Sequence, residues 1–225
     1  MKPTTKDIEI AKKIVNDLIE NEFLNAIITD DNCSLSCWSH DYKEYLERKG
    51  ITVHCGETKA CIISNELTDW VIKVGFIDSD DEGGHTTDFC AIEEGNYRSA
   101  VDMDLDEFFA AIYELCSVTP DRSFFIDSNI TFFIQEKAVP NEEKTSNTCD
   151  NYMKKYYSEG EGEEEWYPEG DDYDRVGSLF EGDERVDELI DFLDNWNIND
   201  LHSGNFGYTG DGKVKIIDYS GYYEG

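Results

Sequence analysis

A short apolar run, Phe206 to Tyr208, and a strand-like run, Lys213 to Ile217, flank the turn sequence Gly210-Asp211-Gly212 near the end of the chain. Runs of this length around a Gly/Asp turn predict a β-hairpin. A hairpin brings the chain back to where it started, so Asn205, just before the first strand, is expected beside Asp218, just after the second. A carboxamide and a carboxylate facing one point are oxygen ligands of the kind that hold a hard cation such as Mg²⁺. Asp200 lies on the segment leading in, placed to accept a proton or orient a hydroxyl. Asp and Asn are also ordinary turn residues, so an acidic hairpin without a ligand is the alternative.

Asp200 and Asn205 stand at D-x-x-x-x-N spacing, followed by the hairpin and Asp218-Tyr219-Ser220. This set resembles the catalytic core of the protein-kinase-like superfamily. There a catalytic-loop Asp precedes a metal-binding Asn by five residues, and a hairpin leads to the metal-binding Asp of an Asp-Phe-Gly motif. The run Asp200-Leu201-His202-Ser203-Gly204-Asn205 looks more like the small-molecule and atypical kinases, with an aminoglycoside-phosphotransferase-like core, than like the eukaryotic protein kinases. Two positions depart from the pattern. Ile198 stands where the family usually has His or Tyr, and Ser220 replaces the Gly of the metal motif.

From Ile51 the runs ITVH, ACIIS and WVIKVGF are apolar and β-branched, separated by turn-like stretches, and predict strands. Lys73 lies inside the third run. A lysine there is costly unless its ammonium finds a partner or snorkels outward from an edge strand. The resemblance implies the first: Val71-Ile72-Lys73 matches the strand lysine that reaches the α- and β-phosphates of ATP and pairs with a helix Glu. The stretch from Asp88 is expected to be that helix, with Glu94 as the first choice of partner and Glu93 as the second. The turn at Cys55-Gly56-Glu57-Thr58-Lys59 corresponds to the phosphate-covering loop in degenerate form, with Gly56 its only glycine. SFFID and ITFFIQEK are expected to form a strand pair, and Gln135-Glu136-Lys137-Ala138 at its end resembles the hinge whose backbone meets adenine, making Glu136 and Ala138 cofactor-binding candidates.

The remaining stretches are read from pattern alone. Residues 5–25 carry Ile8, Ala11, Val15, Leu18 and Ile19 at helical spacing, with Thr5 as the cap. A short helix is expected over 39–49, stopping at Gly50. An acidic loop is expected over 78–88, and an amphipathic stretch over 104–116. Residues 141–175 are too rich in carboxylates and glycine to bury much surface, and Trp166 and Tyr167 are the apolar exceptions. A helix is predicted over 183–196, with Val186, Leu189, Ile190 and Leu193 on one face. Seven residues follow Asp218, so the resemblance implies a truncated second lobe.

The expectation is an α+β, protein-kinase-like fold: a small antiparallel β lobe and a truncated helical lobe carrying the catalytic-loop hairpin. Four stretches follow: an N-terminal helical extension (1–50), the small lobe and hinge (51–140), an acidic insert (141–182) and the truncated second lobe (183–225). As an enzyme it is expected to be an ATP-dependent phosphotransferase. Lys73 binds phosphate, Glu94 holds Lys73, Asn205 and Asp218 bind Mg²⁺, and Asp200 orients the acceptor hydroxyl. Charge supplies the rival reading. With 51 acidic against 19 basic residues the chain carries −32, which disfavours direct binding to nucleic acid or to an anionic membrane surface. The alternative expectation is a non-catalytic, kinase-like binding protein or inhibitor, of a virus or mobile element, whose acidic surface captures a basic protein partner or imitates the charge of DNA. The start of the chain does not read as a secretory signal, and the seven scattered cysteines read as reduced thiols of a cytoplasmic protein.

Overall fold

The computed structural model describes residues 2–20, 40–55, 59–75, 77–79, 86–118, 130–140 and 176–220. The chain divides into two compact units, Met1–Gly95 with Ala111–Lys137, and Asn96–Ala110 with Ala138–Gly225. These cut the chain differently from the four stretches above: the N-terminal helix belongs with the sheet, and 96–110 belong with the C-terminal residues.

The first unit is mixed α and β. Its strands are β1 (Ile51–Cys55), β2 (Lys59–Ser64), β3 (Trp70–Gly75), β6 (Ile112–Val118) and β7 (Ile130–Glu136), with a short hairpin of β4 (Ile77–Ser79) and β5 (Thr86–Asp88) between β3 and β6. The five longer strands form one antiparallel sheet in the order β1-β2-β3-β7-β6. Strand side chains alternate between faces, so the register Ile62↔Ile72↔Ile134 aligns one apolar row. That row joins Ala60, Val74 and Phe132 in a core with Ala11, Ile14, Val15 and Leu18 of helix α1 (Thr5–Glu20). Each such aliphatic side chain stabilises the fold by about 1.5–3 kcal/mol on burial. The opposite face carries Cys61↔Lys73↔Phe133 in register, with Lys59 and Gln135 two residues along their strands.

α1 is capped by Thr4 rather than Thr5. Thr4 Oγ1 accepts from Asp7 N at 3.2 Å, and Asp7 Oδ2 accepts from Thr4 N at 2.8 Å. This reciprocal box needs a residue three before a carboxylate, which Thr4 satisfies and Thr5 does not. Helix α2 (His40–Arg48) ends where expected: Gly50 takes φ +68° and donates to the Glu47 carbonyl at 2.9 Å. Tyr45 of α2 donates to Asp17 of α1 at 2.5 Å.

Two expectations need correction. The ends of the expected 78–88 loop are strands, with Asp78 paired to Thr87. The stretch expected to be amphipathic over 104–116 changes conformation along its length and is buried throughout 108–112. Asp104 at φ +62° follows helix α3 (Phe89–Asp102), a single 3-10 turn covers Asp106–Phe108, and the chain then becomes extended. Phe108, Phe109, Ala110, Ala111 and Ile112 are all buried, so there is no polar side for a surface helix to expose. β7 pairs with β3 and with 112–118; SFFID (123–127), its expected partner, lies outside the described residues.

In the second unit, helix α4 (Val186–Asn195) buries Leu189, Phe192 and Leu193. Phe109 meets Phe192 edge-on at 5.6 Å, and Trp196 stacks on Phe192 at 4.6 Å. A helical turn at 176–179 buries Val176, and Phe180 meets Phe108 at 5.2 Å, so residues expected at the end of the insert belong to this core. Strands β8 (Phe206–Tyr208) and β9 (Val214–Ile216) form the predicted hairpin. Among the described residues no helix is long and apolar enough to cross a membrane.

Candidate functional site

In the first unit, Lys73 stands in the middle of β3 with its side chain buried. Its Nζ donates to Glu93 Oε1 at 3.1 Å. The partner is thus Glu93, not Glu94. Cys90, Glu93, Tyr97 and Ala100 recur at helical spacing and are all buried, whereas Glu94, one position on, is rotated away and half-buried. Glu93 is fully buried and gathers more than one lysine. Gln135 Nε2 donates to Oε1 at 3.2 Å, and Lys59 Nζ lies 2.9 Å from Oε2. Removing a carboxylate from such a cluster strands buried cations, which is far costlier than losing a surface pair.

The hinge residues are largely closed by the fold. Glu136 N donates to Ala111 O at 2.8 Å, Lys137 N to Asp69 O at 2.8 Å and Val139 N to Tyr208 O at 2.9 Å. Among the described residues the Ala138 N–H is the one donor of the four from Glu136 to Val139 with no partner. Gly56 lies outside the described residues.

In the second unit, Ile217 N donates to Asn205 O at 2.8 Å, closing the base of the hairpin and setting Asp218 one residue beyond that bond. The turn at its tip is tied by Thr209 Oγ1, which donates to Asp211 and accepts from Lys213 N at 3.2 Å, while Gly212 takes φ +85°. That hydrogen bond from Thr209 holds the Asp211 carboxyl below the usual carboxylate range. Asn205 Nδ2 donates to Asp200 O at 2.6 Å, which leaves Oδ1 as the ligand end of the amide. Tyr219 is fully buried: its carbonyl accepts from Asn96 at 2.8 Å and its hydroxyl donates to Ala110 O at 2.8 Å. Asp218 is held between these two anchors, Ile217 and Tyr219, and its Oδ1 accepts from Ser220 Oγ at 3.3 Å. His202 Nδ1 accepts from Gly204 N at 3.0 Å, so the neutral ring carries its proton on Nε2, 3.9 Å from Asp200 Oδ1.

Asn205 and Asp218 are hard oxygen donors and fit Mg²⁺, which completes its shell with water and phosphate oxygens. Among the described residues no three His, Cys, Asp or Glu side chains gather as a metal-ligating group. The structure therefore brings together Lys73 with Glu93, and Asp200 with Asn205 and the base of Asp218, each set within its own unit. Sequence reading missed Lys59 and Gln135. The available signal was a polar residue two positions from an apolar one on the face that carries Lys73.

No protein-family model matches the chain, and no curated protein matches it.

Proposed function

We propose that the chain is a kinase-like protein that binds ATP with Mg²⁺ and transfers phosphate to a hydroxyl acceptor. The observation that carries this reading is the buried Lys73–Glu93 pair at 3.1 Å, which joins β3 to α3. A buried lysine oriented by a carboxylate presents its positive charge to an anion from a fixed position. Asn205 Oδ1 and the Asp218 carboxylate would hold the metal ion, which would supply charge stabilisation to the phosphate oxygens. The Asp200 carboxylate orients the acceptor hydroxyl and takes its proton. The Ala138 N–H meets an acceptor nitrogen of adenine, and Glu136 contributes its backbone carbonyl. Catalysis of this class is mainly positioning and charge stabilisation, so few residues suffice. The test is transfer of labelled γ-phosphate. Asp200→Ala is expected to remove transfer and leave ATP affinity nearly unchanged, because Asp200 faces the acceptor; equal loss of both would contradict the assignment.

A second reading, a non-catalytic binding protein for a basic partner, is favoured by the −32 charge and by the exposed Asp187, Asp191 and Asp194 of α4. Opposite charges steer association and are screened by salt. On this reading a basic protein is recovered at low ionic strength, DNA competes for it, and no phosphate transfer accompanies ATP binding.

A further inference from the structure

β7 carries a buried amide that the proposed chemistry does not use. Its neighbours Phe132, Phe133 and Ile134 are apolar and fully buried, and Gln135 is 1% exposed. Register places it. Phe133 stands opposite Lys73, and Gln135, two residues on, stands opposite Val71, so Gln135 and Lys73 share one face of the sheet. A buried amide without a partner is costly. Gln135 finds its partner outside the sheet, in Glu93 of α3, to which Nε2 donates at 3.2 Å. Only the nitrogen can serve, since the amide oxygen would face a carboxylate.

That bond meets the same oxygen as the strand lysine. Glu93 Oε1 accepts from Lys73 at 3.1 Å and from Gln135 at 3.2 Å, while Lys59 Nζ lies 2.9 Å from Oε2. The two kinds of donor constrain the carboxylate differently. An ammonium is a compact charge with three rotatable donors on a flexible stem, and it follows an oxygen that moves. The last torsion of a glutamate is a broad well, so ionic contacts alone leave the plane of its carboxylate loosely set. The Gln135 amide is planar, and its backbone is fixed by the ladders of β7 to β3 and β6, so its N–H comes from one direction.

We infer, resting on the nucleotide reading above, that Gln135 is a positioning residue for Lys73: its amide fixes the Glu93 carboxylate, and the carboxylate fixes the ammonium that meets phosphate. Gln135 then acts on the ligand only through Lys73 and has no bearing on the adenine end. A phosphate contact from a displaced ammonium is weakened, so removing the amide lowers affinity for polyphosphate, and does so only while Lys73 is present.

The experiment titrates wild type, Gln135→Met, Lys73→Met and the double variant with ATP, adenosine and inorganic tripolyphosphate in the presence of Mg²⁺. Gln135→Met keeps the length of the side chain and removes its donor. It is expected to bind ATP and tripolyphosphate at least about fivefold more weakly, with adenosine affinity unchanged. In the Lys73→Met background the same change is expected to alter ATP affinity by less than about twofold, because residues that act through one another are not additive. An equal loss for adenosine and ATP, which a merely structural role would give, overturns the proposal. So does an ATP affinity of Gln135→Met within about twofold of wild type, or a loss undiminished in the Lys73→Met background. If wild type binds tripolyphosphate but not ATP, the nucleotide reading fails, and the tripolyphosphate cycle decides on Gln135. A second readout needs no ligand. The ¹⁵N NMR signal of the Lys73 ammonium, identified by its absence from Lys73→Met, should broaden or vanish in Gln135→Met while the backbone amide spectrum is kept, and an unchanged signal overturns the proposal. If wild type binds neither ATP nor tripolyphosphate, the nucleotide reading fails and this signal alone decides on Gln135. Should Gln135→Met not fold, Gln135→Asn takes its place: it keeps the amide but is one methylene short of Glu93, and the same losses are expected of it.

Discussion

Asn205 Nδ2 donates to the backbone carbonyl of Asp200 at 2.6 Å, so a side chain closes the loop between the two residues. Asn205 is buried, and a carboxylate in its place cannot donate to that carbonyl. Asn205→Asp is expected to destabilise the metal-free protein by about 1–3 kcal/mol, read as a lower midpoint in urea. An unchanged midpoint would show that the loop is held by other contacts.

Glu93 and Glu94 are adjacent but unlike in environment. Glu93→Ala removes the buried carboxylate that the ammoniums of Lys59 and Lys73 share and is expected to cost about 3–5 kcal/mol. Glu94→Ala is expected to cost no more than about 1 kcal/mol. Urea unfolding of the two variants measures both, and equal losses would contradict the pairing.

Tyr45 donates to the Asp17 carboxylate at 2.5 Å, and this bond, with burial, pushes the phenol up to about 12 from its ordinary value near 10.0. The bonded form is the neutral phenol. Its contribution is therefore fully present below pH about 10 and is lost as pH rises toward about 12. Tyr45→Phe is expected to lower stability by about 1 kcal/mol at pH 8, and the gap to wild type should close above pH about 11. A gap that persists unchanged at high pH would count against the Asp17 bond.

Two glycines predict opposite outcomes. A Cβ on Gly207 would stand 2.8 Å from the backbone of Ala138, so Gly207→Ala forces β8 away and is expected to cost about 1–3 kcal/mol. A Cβ on Gly95 meets nothing within 4 Å, and the residue sits inside α3. Gly95→Ala is expected to stabilise by about 0.5–1 kcal/mol. Thermal melts of both variants check the pair.

Much of this was legible from residue pattern. β1, β2, β3 and β7 are β-branched or aromatic runs bounded by turn residues, and the Gly210-Asp211-Gly212 hairpin announces itself by turn chemistry. β6 was not legible, because its apolar residues Ile112, Leu115 and Val118 recur three apart, a spacing that suits a helix as well as a strand. Glu93 could have been preferred by counting from Cys90 to Tyr97 along α3, since only one of two adjacent carboxylates shares their side. Lys59 was hidden differently. It reads as the last residue of a turn, and only the β2–β3 register reveals that it shares a face with Lys73. The Ala138 N–H leaves no trace in sequence, because every residue but proline carries one.

The central claim, that this chain binds ATP with Mg²⁺ through Lys73, Asn205 and Asp218, is tested most directly by calorimetric titration of ATP into wild type and Asp218→Ala across a range of Mg²⁺ concentrations. Saturable binding is predicted for wild type, strengthened by Mg²⁺, and at least about tenfold weaker in Asp218→Ala because a charged ligand to the metal is gone. An absence of binding heat in wild type at every Mg²⁺ concentration, or equal affinity in the variant, would contradict it.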